Sequence, residues 1–255
     1  MTRILMFLCA LAITVAAPAY AQNIPATRTE KDSQSSPDTT PMLMLSRGTP
    51  THPEKVILTW HKMVRQTPDF LLWAKKSPYL RKANAIDHDM IVNRESNRLQ
   101  QDWNELDTSQ LLNIQTVIHL NNYSTLQEQL IVGEFTSKTF FSFMMYDENI
   151  AVVPHDIARF NKIKITNAQM NDMLKKAGSG QIMAELLLKP IEADAKTPFV
   201  HGRMSYWLVL GQVMEIRFWS KSDGKDELLW MQRDPSYKPR EDKSLLDLKS
   251  GAVLP

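Results

Sequence analysis

Cysteine is nearly missing from this sequence. The 255 residues contain one, Cys9, and it lies inside an N-terminal apolar stretch. If that stretch is removed, no thiol remains. Disulfides, thiolate nucleophiles and cysteine metal ligands are then all excluded. A charge excess of either sign is also missing. Thirty basic residues face 28 acidic ones, for a net charge of +2. A nucleic-acid binder needs a basic stripe, and an anionic membrane surface attracts polybasic segments. Neither is present. After the first stretch no second apolar run approaches the roughly 20 residues that a membrane span requires.

What is present begins with an address. Arg3 supplies a positive start, Ile4 to Ala17 is apolar except for Thr14, and Pro18 breaks the helix. Ala19-Tyr20-Ala21 then offers small residues at a cleavage site. These three parts describe a cleavable secretory signal peptide over residues 1–21, cut after Ala21. The stretch is short for an uncleaved anchor. Cleavage removes Arg3 and leaves 29 basic against 28 acidic residues, a net charge of +1. The expected destination is the periplasm or the outside of the cell, with no transmembrane span after cleavage.

Gln22 to about Pro50 is polar, rich in Ser, Thr, Asp and Pro, and has no periodic apolar face. It is expected to be a disordered lead-in, interrupted by Met42-Leu43-Met44-Leu45. Residues 234–255 form a charged, Pro-containing tail. Between them, residues 51–233 are about right for a single domain.

That domain opens with helical patterns. Thr51-His-Pro-Glu54 reads as a capping box, followed by Val56, Ile57, Trp60, Met63 and Val64 at helical spacing. Thr67-Pro68 is expected to cap a second helix bearing Phe70, Leu71, Trp73 and Ala74, which stops at Ser77-Pro78. A third helix is expected from about Asp87 to Leu106, burying Ile91, Leu99, Trp103 and Leu106. The period then falls to two. Ile114, Thr116, Ile118 and Leu120 share one strand face, and Gln115, Val117 and His119 the other. Strands are predicted over Gln129 to Phe135 and Thr139 to Met145. Pro154 is expected to open a short helix, and Thr166-Asn-Ala-Gln169 to cap another that ends at Gly178. Long strands follow at Ile182 to Ala193 and Tyr206 to Trp219, then Glu227 to Gln232 after an Asp223-Gly224 turn. The predicted class is α+β: N-terminal helices packed on an antiparallel, meander-like sheet, as an open sheet, sandwich or partial barrel.

No motif identifies a reaction. Asp87-His88-Asp89 reads as an acidic helix start, because adjacent helical residues do not converge on a metal. His155-Asp156 is likewise explained by a helix N-terminus. Gly178-Ser-Gly180 lacks the strand before it and the Gly-Lys-Ser/Thr after it that a phosphate loop needs. The 14 methionines are scattered rather than clustered as copper ligands. Glu215 and Arg217 are expected to share a strand face with Trp207 and Trp219, either as a ligand or partner surface or as packing under the helices. His119, on the polar strand face, and Arg203, in a Gly-containing turn, complete the candidate binding residues. No catalytic residue, metal ligand or cofactor is expected.

Trp73-Ala74-Lys75-Lys76-Ser77-Pro78-Tyr79, Pro154-His155-Asp156-Ile157-Ala158 and the strand beginning Gly202-Arg203 resemble a family of uncharacterised exported bacterial proteins, a domain of unknown function. The resemblance covers most of Pro53 to Gln232. It implies an exported α+β domain in a Gram-negative cell and carries no activity. The function expected is a non-enzymatic periplasmic binding or protein-interaction domain with a partner in the cell envelope. Two alternatives stand beside it: a metal-dependent or hydrolase-like enzyme, and a component of a secretion or envelope-assembly apparatus.

Overall fold

The computed structural model describes residues 47–80, 85–222 and 225–237. The expected signal peptide, the lead-in up to residue 46, the Asp223-Gly224 turn and the tail from residue 238 lie outside the described residues. The class is α+β, and the main sheet is open.

Helix α1 (Pro53–Met63) is the most buried of the described helices. Pro53 presets the first helical turn, where its missing N–H costs nothing. Six consecutive residues, Val56 to His61, are buried, as expected of a helix covered on nearly every side. Helix α2 (Phe70–Lys76) and helix α3 (His88–Glu105) pack against each other. Lys62 ties α1 to the end of α3. Its Nζ donates to the carbonyls of Trp103 at 2.7 Å and Leu106 at 2.6 Å, so a cation neutralises the negative helix end.

The main sheet has the order β1 (Leu112–His119), β7 (Gln181–His201), β8 (Met204–Ser222), β5 (Glu148–His155) and β4 (Phe141–Met145), and β9 (Lys225–Arg233) also pairs with β8. All pairs are antiparallel except β5 with β8. A small second sheet joins β2 (Tyr123–Ser124), β3 (Gln129–Ile131) and β6 (Lys162–Lys164). Helix α4 (Asn167–Ala177) carries the expected capping box, with Thr166 and Gln169 bonded reciprocally, and Gly178 ends it at φ 61°.

Several expectations need correction. Thr51 does not cap α1. The N-cap is His52, which makes no side-chain cap bond. Thr51 instead bonds β1: its N–H donates to Asn113 O at 2.8 Å, and its Oγ1 accepts from Asn113 N at 2.7 Å. Asp69, rather than Thr67, caps α2 by accepting from Leu72 N at 2.9 Å. Pro154 opens no helix. It is a residue of β5, opposite Gly211 in the parallel pair. A 3₁₀ turn follows at Ile157–Phe160. The strand expected over Gln129 to Phe135 stops at Ile131. Before Thr51, Arg47 and Gly48 are already bonded to the sheet.

One further correction changes which side chains meet. Strand β8 does not keep one parity. Leu187 pairs with Glu215, yet Leu188 pairs with Val213, so Met214 is an extra residue. Such a β-bulge exchanges the two faces beyond it. Val209 and Val213 enter the core before the bulge, Ile216 and Phe218 after it. Trp207 therefore lies on the helix side, stacked on Trp60 at 5.4 Å between ring centroids. Glu215, Arg217 and Trp219 lie on the opposite face. The four residues do not share one.

Candidate functional site

A groove of about 810 Å³ lies between the α2–α3 turn, one face of α3 and the end of β4. Pro78 and Tyr79 come from the turn, Ile91, Arg94, Glu95 and Arg98 from α3, and Met145 from β4. Positions 91, 94, 95 and 98 are spaced three or four apart, so a single helix face lines the groove.

Its floor is an ion network centred on Arg98. Nη1 and Nη2 donate to the two oxygens of Glu54 at 2.9 and 2.8 Å. Nε and Nη2 donate to the two oxygens of Glu95 at 3.0 and 2.7 Å. A further Nη1 bond reaches Asp102 at 2.5 Å. All five guanidinium N–H groups are thereby used. Tyr146 Oη donates to Glu54 Oε2 and Ser77 Oγ to Glu95 Oε1. Burial pushes the Glu54 carboxyl up, but the bonds from Arg98 and Tyr146 outweigh it and hold the group below the usual range. Burial and the Glu54 carboxylate push the Tyr146 phenol well up, and Arg98 is raised by its carboxylates. Burial also raises the Asp102 carboxyl, and the charges of Glu54, Glu105 and Glu95 add to it against the pull of Arg98. Every central group already has a partner, so the floor is structural and has no spare donor for a ligand.

The rim is different. Tyr79 is 66 % exposed and Met90, one helical turn before Arg94, is 64 % exposed. Arg94 is exposed and makes no ion pair among the described residues. Leu71, Leu72, Tyr79, Ile86 and Met90 make five of the twelve large apolar side chains that the described surface exposes. These five lie on α2, on the connection to α3 and in the first turn of α3, and Tyr79 among them lines the groove.

A second polar network occupies the far face of the sheet. Glu185 is fully buried and accepts from Gly48 N at 2.9 Å, Asn113 Nδ2 at 2.6 Å and Trp219 Nε1 at 2.9 Å. Arg217 reaches both Glu185 and Glu215, and Arg233 Nε donates to Glu215 Oε2 at 2.6 Å. Gly48 is needed for this close approach, because a Cβ there would meet Asn113 Nδ2 at 2.5 Å. Of the binding candidates, Glu215, Arg217 and Trp219 are thus brought together, but as members of a closed network.

The other candidates are dispersed. Trp207 packs on α1. Arg203 is exposed at the tip of the β7–β8 hairpin, after Gly202 at φ 63°. His119 ends β1 beside a shallow pocket of about 380 Å³ with Asn121, Asn122, Gly133 and Glu134. Its Nδ1 lies 2.6 Å from Glu134 Oε1 and its Nε2 lies 3.0 Å from Gln181 Nε2. His155 pairs with Asp156 on the surface, and His201 sits among Phe140 and Phe199. Asp87 is the N-cap of α3 but makes no side-chain cap bond. Among the described residues no three His, Cys, Asp or Glu side chains are grouped to hold a metal ion. No described helix is long and apolar enough to cross a membrane.

Sequence reading passed over the groove. Glu54 reads as part of a cap, and Arg98 as one residue of the helix expected over Asp87 to Leu106. The available signal was Glu95 followed by Arg98 and Asp102, a charged i, i+3, i+7 face on a helix that also needs a buried side. Comparison with protein-family models, with curated proteins and with solved structures finds no match to this chain.

Proposed function

We propose that this chain is an exported, non-enzymatic binding domain of a bacterial cell envelope, and that the α2–α3 groove is its ligand site. The observation that carries the reading is the division of labour in the groove. The charged floor is committed to internal bonds, while the rim offers the guanidinium of Arg94, unpaired among the described residues, beside Tyr79, Ile91 and Met145. A groove whose charged floor is internally paired and whose rim adds one cation to apolar side chains suits a ligand that pairs an apolar body with a carboxylate. Export rests on the three-part pattern of Met1 to Ala21.

Titration calorimetry tests the site with a short apolar peptide ending in a free carboxylate, and with the same peptide amidated. Amidation, Arg94→Ala and Tyr79→Ala should each weaken binding by about tenfold, or 1.4 kcal/mol. Equal affinities for all of these would remove the groove from consideration. Cell fractionation with mass spectrometry tests export: the mature chain should begin at Gln22.

A hydrolase-like reading has one observation in its favour, the His119–Glu134 pair beside an open pocket. A carboxylate can orient a general base in this way. No hydroxyl is hydrogen-bonded to His119 among the described residues, so a nucleophile for it to activate is not in place.

A further inference from the structure

The ends of the main sheet are treated unequally. At the β1 edge, the outward N–H and C=O of Asn113 are bonded to Thr51. The outward N–H of His119 donates to Glu134 Oε1 at 3.1 Å. Strand β9 carries Asp226, Glu227 and Arg233. Strand β6 of the small sheet carries Lys162 and Lys164. Closure and charge are the usual ways of keeping an edge from pairing with another chain. Strand β4 has neither. Phe141-Ser-Phe-Met-Met145 contains no charge and no proline, and it ends the sheet order.

The turn beyond β4 fixes which of its groups face outward. Tyr146 and Asp147 have φ of 56° and 63°, the two left-handed residues of a type I′ hairpin turn. Met145 and Glu148 therefore form the hydrogen-bonded closing pair. The pattern alternates from there, so Phe143 and Phe141 also direct their N–H and C=O to β5. The backbone groups of Ser142 and Met144 point away from the sheet. No hydrogen bond reaches them among the described residues.

We propose that β4 is a self-association edge, pairing antiparallel with β4 of a second copy of this chain about a twofold axis at Phe143. In that register Ser142 lies opposite Met144 of the second copy, and Met144 opposite its Ser142. Each outward group meets an outward group, giving four backbone hydrogen bonds. The register is also matched in charge. Antiparallel pairing sets the turn before β4, which carries the exposed Lys138, at the same end as the second copy's turn at Asp147, whose carboxylate is 81 % exposed and holds Lys76 at 2.9 Å. The twofold axis repeats this arrangement at the other end. An uncharged strand meets its own image without repulsion, whereas an unrelated strand has no reason to carry the matching flanks. The inference is independent of the groove as a ligand site. A five-residue strand buries less than the roughly 1,200 Å² of a stable interface, so the dimer is weak and depends on concentration.

Sedimentation equilibrium of the purified protein from about 10 µM to 1 mM should show a monomer–dimer equilibrium with Kd near 100 µM, in the range of small interfaces. Amide exchange at Ser142 and Met144 should slow as concentration rises. Met144→Pro removes an outward N–H and no β4–β5 bond, so it should raise Kd at least tenfold with circular dichroism unchanged. Met144→Lys places a charge on the edge and should do the same, and it decides the matter if the proline variant does not fold. Lys138→Glu should weaken the dimer as well. A monomer at every concentration overturns the proposal, including one whose Ser142 and Met144 amides slow only when an extended peptide is added. A dimer indifferent to both Met144 substitutions also overturns it.

Discussion

Replacing Arg98 with methionine tests the claim that the groove floor is structural. The change removes five N–H donors at once. Among the described residues, Glu54 then keeps only Tyr146 and Glu95 only Ser77. Their side chains are 11 % and 8 % exposed, so two carboxylates remain inside without a counter-charge. Breaking a buried ion pair from one side costs roughly 3–5 kcal/mol. Arg98 itself is 39 % exposed, and water reaching the site trims the figure to about 3 kcal/mol. For a domain of this size that is a fall in Tm of about 6–12 °C. The loss should depend on pH with a definite sign. In the native protein Glu54 is held below its ordinary value of 4.5. Its contribution is therefore complete above that value and is lost as pH falls through the lower folded one. Without Arg98, burial dominates and raises the Glu54 pKa, so the variant recovers as the acid forms. The difference in Tm between wild type and Arg98→Met should then be larger at pH 7.5 than at pH 5. Calorimetry at the two pH values measures it. The triple variant Glu54→Gln, Glu95→Gln, Arg98→Met should regain most of the loss, since neutral amides still accept from Tyr146 and Ser77. A difference below 1 °C, or one equal at both pH values, would refute the reasoning.

Two further outcomes are expected. Gly48→Ala sets a Cβ against Asn113 Nδ2 and Glu185 Oε1, and the forced shift should cost about 1–3 kcal/mol by denaturant titration. Deleting Met214 makes Val213 and Glu215 adjacent opposite Leu188 and Leu187, so the pairing becomes regular and every side chain keeps its face. The deletion variant should therefore retain a cooperative thermal transition, whereas deleting Arg217, where the pairing is regular, turns Phe218 out of the core and should abolish it.

The class, the four helices and the three long strands of the C-terminal third were legible because their apolar spacing is regular over many residues. The capping box at Thr166 and the stop at Gly178 were legible because both are local. Strand β5 was not. Pro154 suggested a helix start, and nothing nearby announces that the strand's parallel partner, β8, lies more than fifty residues away. The bulge at Met214 was invisible for a related reason. Alternation read along β8 continues through it, because Leu208, Leu210, Met214 and Ile216 are all apolar and of one parity. Only pairing with Leu187 and Leu188 shows the extra residue. The groove was hidden because Glu54 and Arg98 are 44 residues apart, and each has a sufficient local explanation as a cap or a surface charge.

The segment before α1 has a mechanical consequence. Gly48 is bonded to Glu185 and Gln115 on the face of the sheet away from the helices. Thr51 is bonded to the edge of β1, and Pro53 begins the helix on the other face. Seven residues, Arg47 to Pro53, thus pass around the rim of the sheet like a hem. A pull on the chain from its N-terminal side loads the bonds at Gly48 and Thr51 before it reaches α1. Force would peel that hem and uncover the β1 edge while the helices and the α2–α3 groove stayed in place.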